Sequence, residues 1–244
     1  MDMKKIGIII ALMGTCLLAQ ADDTGLGVEV SAEPKIVKGL SAEVEGEVRT
    51  QDGVSDLERW AVGAGVDYKL TKWLKADVGY SLIMRYQPER LTDKGKLQSD
   101  HWSPRHRAYV SLSGSWKLPA HWELSLRERY QYTYEAKRNV VRHDPTTGIR
   151  LSDKVKGGDG DQLLRSRVQL KWSRKKSAWS PYLHVEMLND LQQGFSIDQM
   201  RYTAGVDYKL SKQNSLGVAY RFKDKSDKDE EKGHLFSLKY GYKF

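Results

Sequence analysis

The chain has 244 residues, of which 39% are hydrophobic and 30% charged, with a net charge of +8 and a mean hydropathy of -0.63. No run reaches the roughly 18 apolar residues that a membrane-spanning helix needs, which excludes a helical membrane protein. The aromatic residues are mostly seven Trp and thirteen Tyr, against four Phe. Trp and Tyr are the side chains that favour a membrane–water boundary.

The N-terminus has the three parts of a cleavable signal peptide. Lysines at positions 4–5 form a basic start, residues 6–19 are apolar, and Ala19-Gln20-Ala21 is a small-x-small cleavage motif. The alternative is a lipoprotein cleaved before Cys16, but Thr15 is a poor residue directly before such a cysteine. We therefore predict that residues 1–21 are removed during export.

Cleavage after Ala21 would remove the only cysteine of the chain. The mature protein is then expected to have no disulfide and no cysteine-ligated metal site. Export also argues against nucleic acid as a partner, although the chain is basic. Anionic lipid A, anionic sugars or a basic lumen are the expected explanations of the positive charge.

A nine-residue motif occurs twice in the chain. The segment Ala64–Lys72 recurs as Ala204–Lys212 with eight of nine positions identical. Each copy lies in a unit of alternating strand, short polar turn and second alternating strand, and this unit can be traced five times. The chain is therefore predicted to be a series of hairpins.

The second hairpin shows the alternation most clearly. One face of its first strand carries Trp60, Val62, Ala64, Val66, Tyr68 and Leu70, and the other carries Ala61, Gly63, Gly65, Asp67 and Lys69. A period of two over ten or more residues predicts a strand, and the length suits a membrane-spanning one. The alternation is broken at two positions on later strands. Ile83 is an apolar residue on a polar face, and Glu128 is a charged residue on an apolar face, where it predicts a local bulge or a partner.

The last strand alternates up to the C-terminus. Phe236, Leu238, Tyr240, Tyr242 and Phe244 share one face. This ending resembles the signal that the outer-membrane assembly machinery reads. A soluble edge strand with the same residues would expose a long aromatic row to water and invite aggregation.

These features predict an all-β fold, a closed antiparallel transmembrane β-barrel of about ten strands, within a range of ten to twelve, with short periplasmic turns and longer external loops. The expected divisions are a signal peptide at 1–21, an N-terminal segment at 22–38 and the barrel at 39–244. Ten strands close if Gly39–Arg49 pairs with His234–Phe244, which leaves Gly25–Glu33 as an extra segment. Twelve strands would require a missed strand in a long loop.

The charges on the predicted inward faces separate by strand. An acidic wall on the early strands comprises Glu43, Glu45, Glu47, Asp67 and Asp77. A basic wall on three middle strands comprises Arg105, Arg107, Arg127, Arg129, Arg165, Arg167 and Lys171. Guanidinium forks suit carboxylates and phosphates, so the basic wall predicts an anion path. Alternatively, Glu123, Glu135 and Glu186 pair with the arginines and close the lumen.

Catalytic signatures are weak in this sequence. It contains neither G-x-S-x-G nor H-E-x-x-H. His184 and Glu186 share the inward face of one strand, which is the best candidate for a catalytic pair. We predict no catalytic residue, no metal site and no cofactor.

The hairpin units, such as Leu40–Arg49 and Ala204–Lys212, together with the terminal Phe, resemble a family of outer-membrane barrels known only as a domain of unknown function. More distantly, by architecture and by the Arg-x-Arg pairs, the chain is similar to the oligogalacturonate-specific porins. That likeness implies a small monomeric barrel with an arginine-lined lumen, and acidic oligosaccharides as cargo.

The expected function is that of a monomeric barrel in the bacterial outer membrane, acting as a small channel with mild preference for small acidic solutes or oligosaccharides. The alternatives are a non-conducting structural or surface-interaction barrel and a lipid-modifying barrel enzyme. The expected partners are outer-membrane lipid, lipopolysaccharide and the outer-membrane assembly machinery.

Overall fold

The computed structural model describes residues 24–51, 56–225 and 233–244, without the side chain of Lys225. The predicted signal peptide at residues 1–21 lies outside the described residues. Among the described residues, no helix has the length and apolarity to cross a membrane.

The described residues are almost entirely strands and turns. In chain order the strands are β1 (Thr24–Glu33), β2 (Lys35–Val37), β3 (Leu40–Gln51), β4 (Asp56–Lys69), β5 (Leu74–Gln87), β6 (Arg90–Leu91), β7 (Leu97–Gln98), β8 (His101–Lys117), β9 (Trp122–Glu135), β10 (Arg138–His143), β11 (Arg150–Lys156), β12 (Gly160–Trp172), β13 (Trp179–Asp190), β14 (Ser196–Lys209), β15 (Asn214–Lys225) and β16 (Gly233–Lys243). One short 3-10 helix, Pro119–His121, lies in the turn between β8 and β9.

Eleven of these strands form a closed barrel. Their order around it is β1-β16-β15-β14-β13-β12-β9-β8-β5-β4-β3, and β1 also pairs with β3 to close the ring. All neighbours are antiparallel except β1 and β16, which pair in parallel from Thr24↔His234 to Glu33↔Lys243. The predicted all-β barrel is thus confirmed, with a strand number inside the predicted range.

The predicted closure between residues 39–49 and 234–244 is wrong, because β1 lies between them and bonds to both. Its residues alternate like those of the other strands, with Val28 and Val30 51% and 49% exposed on the outer face. The barrel therefore begins at β1, which the sequence interpretation sets apart as an N-terminal segment. An odd number of up-and-down strands gives the first and last strands the same direction, so the closing pair must be parallel.

The two faces of each barrel strand differ as the alternation predicts. Val62, Val78 and Leu183 are exposed on the outer face, whereas Ser81 and Ile83 are buried on the inner face. A closed sheet has only these two sides, so one surface of the wall is apolar and the other lines a polar lumen. Ile83, the apolar exception, is a packed lumen residue.

Glu128 does lie on the outer face, and it has a partner. The Ser166 hydroxyl, directly opposite on β12, donates a hydrogen bond of 2.6 Å to its carboxylate. The strand pairing runs through this position without a shift, so there is no bulge. The partner that the sequence predicts is confirmed.

The two ends of the barrel differ in their connections. At the short-turn end, brief turns such as residues 70–73 and 210–213 join the strands. At the long-loop end, β6, β7, β10 and β11 form a second, four-stranded sheet outside the barrel. The Asp144 carboxylate there accepts hydrogen bonds from the backbone of Thr146 and Thr147, which close a turn and lower the pKa of Asp144.

Candidate functional site in the lumen

The predicted basic wall occupies three adjacent strands, β8, β9 and β12. The strand register places Arg129 opposite Arg165 and Arg127 opposite Arg167. Like charges directly opposite each other on a sheet destabilise it unless something neutralises them. The positions of these side chains therefore require nearby anions.

One glutamate supplies most of that neutralisation. Glu186 projects from β13 into the lumen with only 3% of its side chain exposed. Its Oε1 lies 2.7 Å from Arg127 Nη2 and 3.2 Å from Arg167 Nη2. Its Oε2 lies 2.8 Å from Arg165 Nη2 and 3.5 Å from Arg201 Nη1. We call these four arginines the arginine cage.

The register explains why the cage forms at this glutamate. Arg167 lies directly opposite Glu186 on one side, and Arg201 lies directly opposite it on the other. Arg127 and Arg165 reach the same carboxylate from β9 and β12. Four guanidinium groups around one carboxylate leave a surplus of positive charge in the middle of the lumen.

The other residues of the basic wall have separate partners. Arg129 pairs with Asp77 at 3.1 Å, and its guanidinium carbon lies 3.8 Å from the centre of the Tyr109 ring. Arg105 pairs with Glu135 at 2.8 Å and Lys171 with Asp207 at 2.6 Å, while Arg107 donates to the Thr133 hydroxyl at 3.3 Å. The wall is thus a set of local ion pairs and hydrogen bonds.

The acidic wall is divided as well. Glu47 forms ion pairs with Arg49 and with Arg59, the latter at 2.8 Å, and Asp67 lies 3.9 Å from Lys75. Glu45 lies against Gly63 on the neighbouring strand. Glu43 lines a small cavity that it shares with Asp67 and Asp77. The structure therefore pairs Asp77 with Arg129 of the basic wall, and it places Glu43 and Asp67 on the same small cavity as Arg127 and Arg129.

The central position of Glu186 is not predictable from the sequence, where it is one of three acids among basic strands. Arg49 and Arg59 are absent from the predicted walls, although they lie opposite each other on β3 and β4. The alternation along β3 predicts that Arg49 points into the lumen, because it lies two residues after Glu47 on the same face. Only the register reveals that Arg49 meets Arg59.

A water-accessible vestibule lies at the short-turn end of the lumen. Its volume is about 1000 Å³, and its lining includes Lys75, Ser113, Arg127, Arg167 and Gln169. A smaller cavity of about 150 Å³ lies beside Asp77 and shares Arg127 with the vestibule. Two arginines of the cage therefore also face the vestibule.

The long-loop half of the lumen is packed. Ile83, Ser103, Leu188, Gln199 and Leu235 point inward there, and each is no more than 4% exposed. In the short-turn half, solvent reaches the side formed by β4, β5, β8, β9 and β12, whereas Ser180 and Tyr182 of β13 are buried there.

The candidate catalytic pair does not form a catalytic arrangement. The His184 ring stacks on the Tyr182 ring, with ring centroids 6.0 Å apart, and arginines hold the carboxylate of Glu186. Within the described residues, no group of three or more His, Cys, Asp or Glu could hold a metal ion.

A closed β-barrel with an apolar outer wall and a charged lumen defines the class of transmembrane β-barrels. The chain belongs to the family described as "Protein of unknown function (DUF2490)", whose model matches residues 28–232. This confirms the likeness to a barrel family of unknown function. No curated protein matches the chain.

Solved structures with the same fold include two autotransporter domains and a porin. The beta domain of the Bordetella autotransporter BrkA has a TM-score of 0.54 and 15% identity, covering 86% of this chain and 86% of that one. The translocator domain of the autotransporter NalP from Neisseria meningitidis has a TM-score of 0.52 and 13% identity, covering 86% and 76%. The NanC porin has a TM-score of 0.50 and 13% identity, covering 89% and 97%. At these identities the likeness establishes the barrel fold.

Proposed function

We propose that this protein is an outer-membrane β-barrel that admits small anions to its lumen from the periplasm and forms a narrow, anion-preferring channel. The observation that carries the proposal is the arginine cage, whose four guanidinium groups share one carboxylate beside a vestibule of about 1000 Å³. Small carboxylates and acidic oligosaccharides are the solutes that suit such groups.

The location in the outer membrane is part of this proposal. The apolar outer wall suits hydrocarbon, and bacterial barrels place their short turns in the periplasm. In that orientation the vestibule opens to the periplasm, and the four-stranded sheet lies outside the cell. We infer a monomer in contact with outer-membrane lipid and lipopolysaccharide. We also infer that the assembly machinery reads its last strand, whose Phe244 is exposed.

Anion preference follows from the charge distribution along the lumen. The surplus positive charge of the cage lies in a confined, low-dielectric space where ions are poorly screened. Cations approaching the cage are repelled, whereas anions are attracted. We favour transport over catalysis because the carboxylate of Glu186 is bound by the arginines of the cage and not by His184, its partner in the candidate catalytic pair.

Reversal potentials in planar bilayers under a salt gradient test this function. The wild-type barrel should select chloride over potassium. Replacing Arg127 and Arg167 together by Gln should lower the chloride-to-potassium permeability ratio at least about twofold, because these two arginines face the vestibule. The matched control is Arg150→Gln, an exposed arginine outside the barrel, which should change nothing. An unselective wild-type conductance would contradict the anion preference.

A non-conducting barrel is the second candidate, and the packed long-loop half of the lumen favours it. Ser103, Leu188 and Leu235 leave almost no accessible surface there. If the folded barrel inserts into bilayers and carries no current under any gradient, this structural role replaces the channel.

A further inference from the structure

We propose that the arginine cage is an anion-binding site whose resting occupant is the side chain of Glu186, and that a small carboxylate or phosphate from the vestibule binds there in its place. This inference rests on the proposed function, because it assumes that anions enter the lumen from the periplasm. It adds a ligand site and a means of regulating that site.

Glu186 is held in the manner of a bound ligand. Each of its carboxylate oxygens contacts two arginines, with Arg127 and Arg167 on Oε1, and Arg165 and Arg201 on Oε2. The four arginines belong to β9, β12 and β14, and Glu186 belongs to β13. The backbone that positions the donors is therefore separate from the strand that carries the acid. Another carboxylate could take the same contacts.

The vestibule gives a ligand a route to the cage. Arg127 and Arg167 line the vestibule, and their side chains keep 17% and 23% of their surface exposed. Gln169, two residues after Arg167 on the same face of β12, also lines it. A solute in the vestibule thus reaches the side chains of two of the arginines that hold Glu186.

The cage also has donors that Glu186 does not use. Within the described part of the chain, the Nε atoms of Arg127 and Arg165 are buried and make no hydrogen bond. Buried polar groups normally have partners, and among the described residues the Nε atoms of Arg59, Arg105 and Arg138 lack one as well, so these arginines as a group have more donors than acceptor oxygens. A glutamate carboxylate offers only two oxygens, whereas phosphate or a hydroxylated carboxylate such as a uronic acid offers more. Oxyanions of this kind are the class of ligand that the cage fits.

Exchange of one carboxylate for another preserves the charge balance of the cage, while the released carboxylate of Glu186 has to turn toward the vestibule and be hydrated there. The opposing factor is the tether, because Glu186 competes as an intramolecular ligand at high effective concentration. Wild-type affinity should therefore be weak, and removal of the tethered carboxylate should raise it. The side chain of Glu186 acts in this way as a built-in competitor that limits occupancy to conditions where the solute is abundant.

Titration calorimetry on the full barrel in detergent tests the inference, with inorganic phosphate and glucuronate as probes. Glu186→Ala should bind both at least about tenfold more tightly than the wild type, because the tethered competitor is gone. The matched control is Asp207→Ala, which adds the same charge to the lumen but removes the partner of Lys171. Its affinity should equal that of the wild type.

The outcomes separate this inference from the proposed function. Equal gains in Glu186→Ala and Asp207→Ala would mean that net lumen charge alone binds anions, which would overturn the inference. Unchanged affinity in Glu186→Ala alongside an anion-selective conductance would remove the site and leave the channel. Tight binding in Glu186→Ala without conductance would leave the site and remove the channel.

A second variant and the wild type guard against a folding defect. Glu186→Gln keeps the shape of the side chain without its charge and should show a gain in the same direction, smaller than that of Glu186→Ala because the amide still fills the site. If neither variant folds, the wild-type barrel decides, because phosphate should raise its unfolding temperature more than potassium chloride of equal ionic strength. No difference between the two salts would contradict the site.

Discussion

Glu186 and Glu128 are two acids of one barrel in opposite surroundings. Glu186 is buried among four arginines in the lumen. Glu128 lies exposed on the apolar outer wall, where it accepts a hydrogen bond from a neutral hydroxyl, that of Ser166. A carboxylate facing hydrocarbon is costly, and the hydrogen bond from Ser166 offsets part of that cost. The surroundings of each glutamate, and not the residue type, therefore decide what it contributes to the stability of the barrel.

Glu186 should contribute strongly to the stability of the barrel. Replacing Glu186 by Gln leaves the four guanidinium groups unneutralised in a buried site, so the free energy of unfolding should fall by about 3–5 kcal/mol. Asp207→Asn is the control. Its ion pair with Lys171 is more exposed, and its loss should cost less than about 1 kcal/mol. Urea titration in detergent, followed by tryptophan fluorescence, measures both values. Equal losses would contradict a special role for the cage.

At the scale of the strands, aromatic rings on one strand cover glycines on the next. The Tyr109 ring of β8 lies over Gly79 of β5, where a Cβ atom would be 2.4 Å from the ring. The Tyr182 ring of β13 covers Gly205 of β14 in the same way, with a Cβ 2.5 Å away. Glycine lets the ring lie flat against the neighbouring strand, which fills the lumen wall without pushing the strands apart.

Alanine at a covered glycine should disturb this packing. Gly79→Ala forces the Tyr109 ring to move, and overpacking of this kind costs about 1–3 kcal/mol of unfolding free energy. Gly46→Ala is the matched control, because a Cβ at Gly46 meets no atom within 4 Å. The same urea titration compares the two variants. Similar stability for both would show that the Tyr109 ring relocates without cost.

For the whole molecule, the decisive feature is the parallel closure. Glu29 of β1 lies opposite Lys239 of β16 on one side and opposite Glu47 of β3 on the other. The ion pair between Lys239 and Glu29, at 3.4 Å, joins the two chain ends of the barrel. Without β1, the remaining ten barrel strands would have to close directly between β3 and β16.

Cysteine cross-linking tests the closure. Glu29→Cys with Lys239→Cys should form a disulfide on mild oxidation, because directly paired residues lie within the Cα separation of about 4.4–6.8 Å that a disulfide allows. Glu47→Cys with Lys239→Cys should not, because β1 separates the two strands. Non-reducing electrophoresis of the folded barrel distinguishes the pairs. Cross-linking of the second pair alone would restore the ten-strand closure.

Most of the barrel could be predicted from sequence, and the reason is visible in particular residues. Val62, Val78 and Leu183 are outside because each strand alternates, and parity along one strand needs no knowledge of the others. The same parity places Arg127, Arg165 and Glu186 in the lumen. It cannot say which of them touch, since contacts across the lumen depend on the register between strands far apart in the chain.

The amino-acid sequence by itself thus determined the hairpin series, the apolar outer wall and the identity of the charges within, because these properties are local to each strand. The tertiary structure alone decided that β1 completes the ring, that four arginines converge on Glu186 and that one half of the lumen is filled. Closure couples all strand registers at once, and a shift by one residue on any strand would turn its side chains to the opposite face.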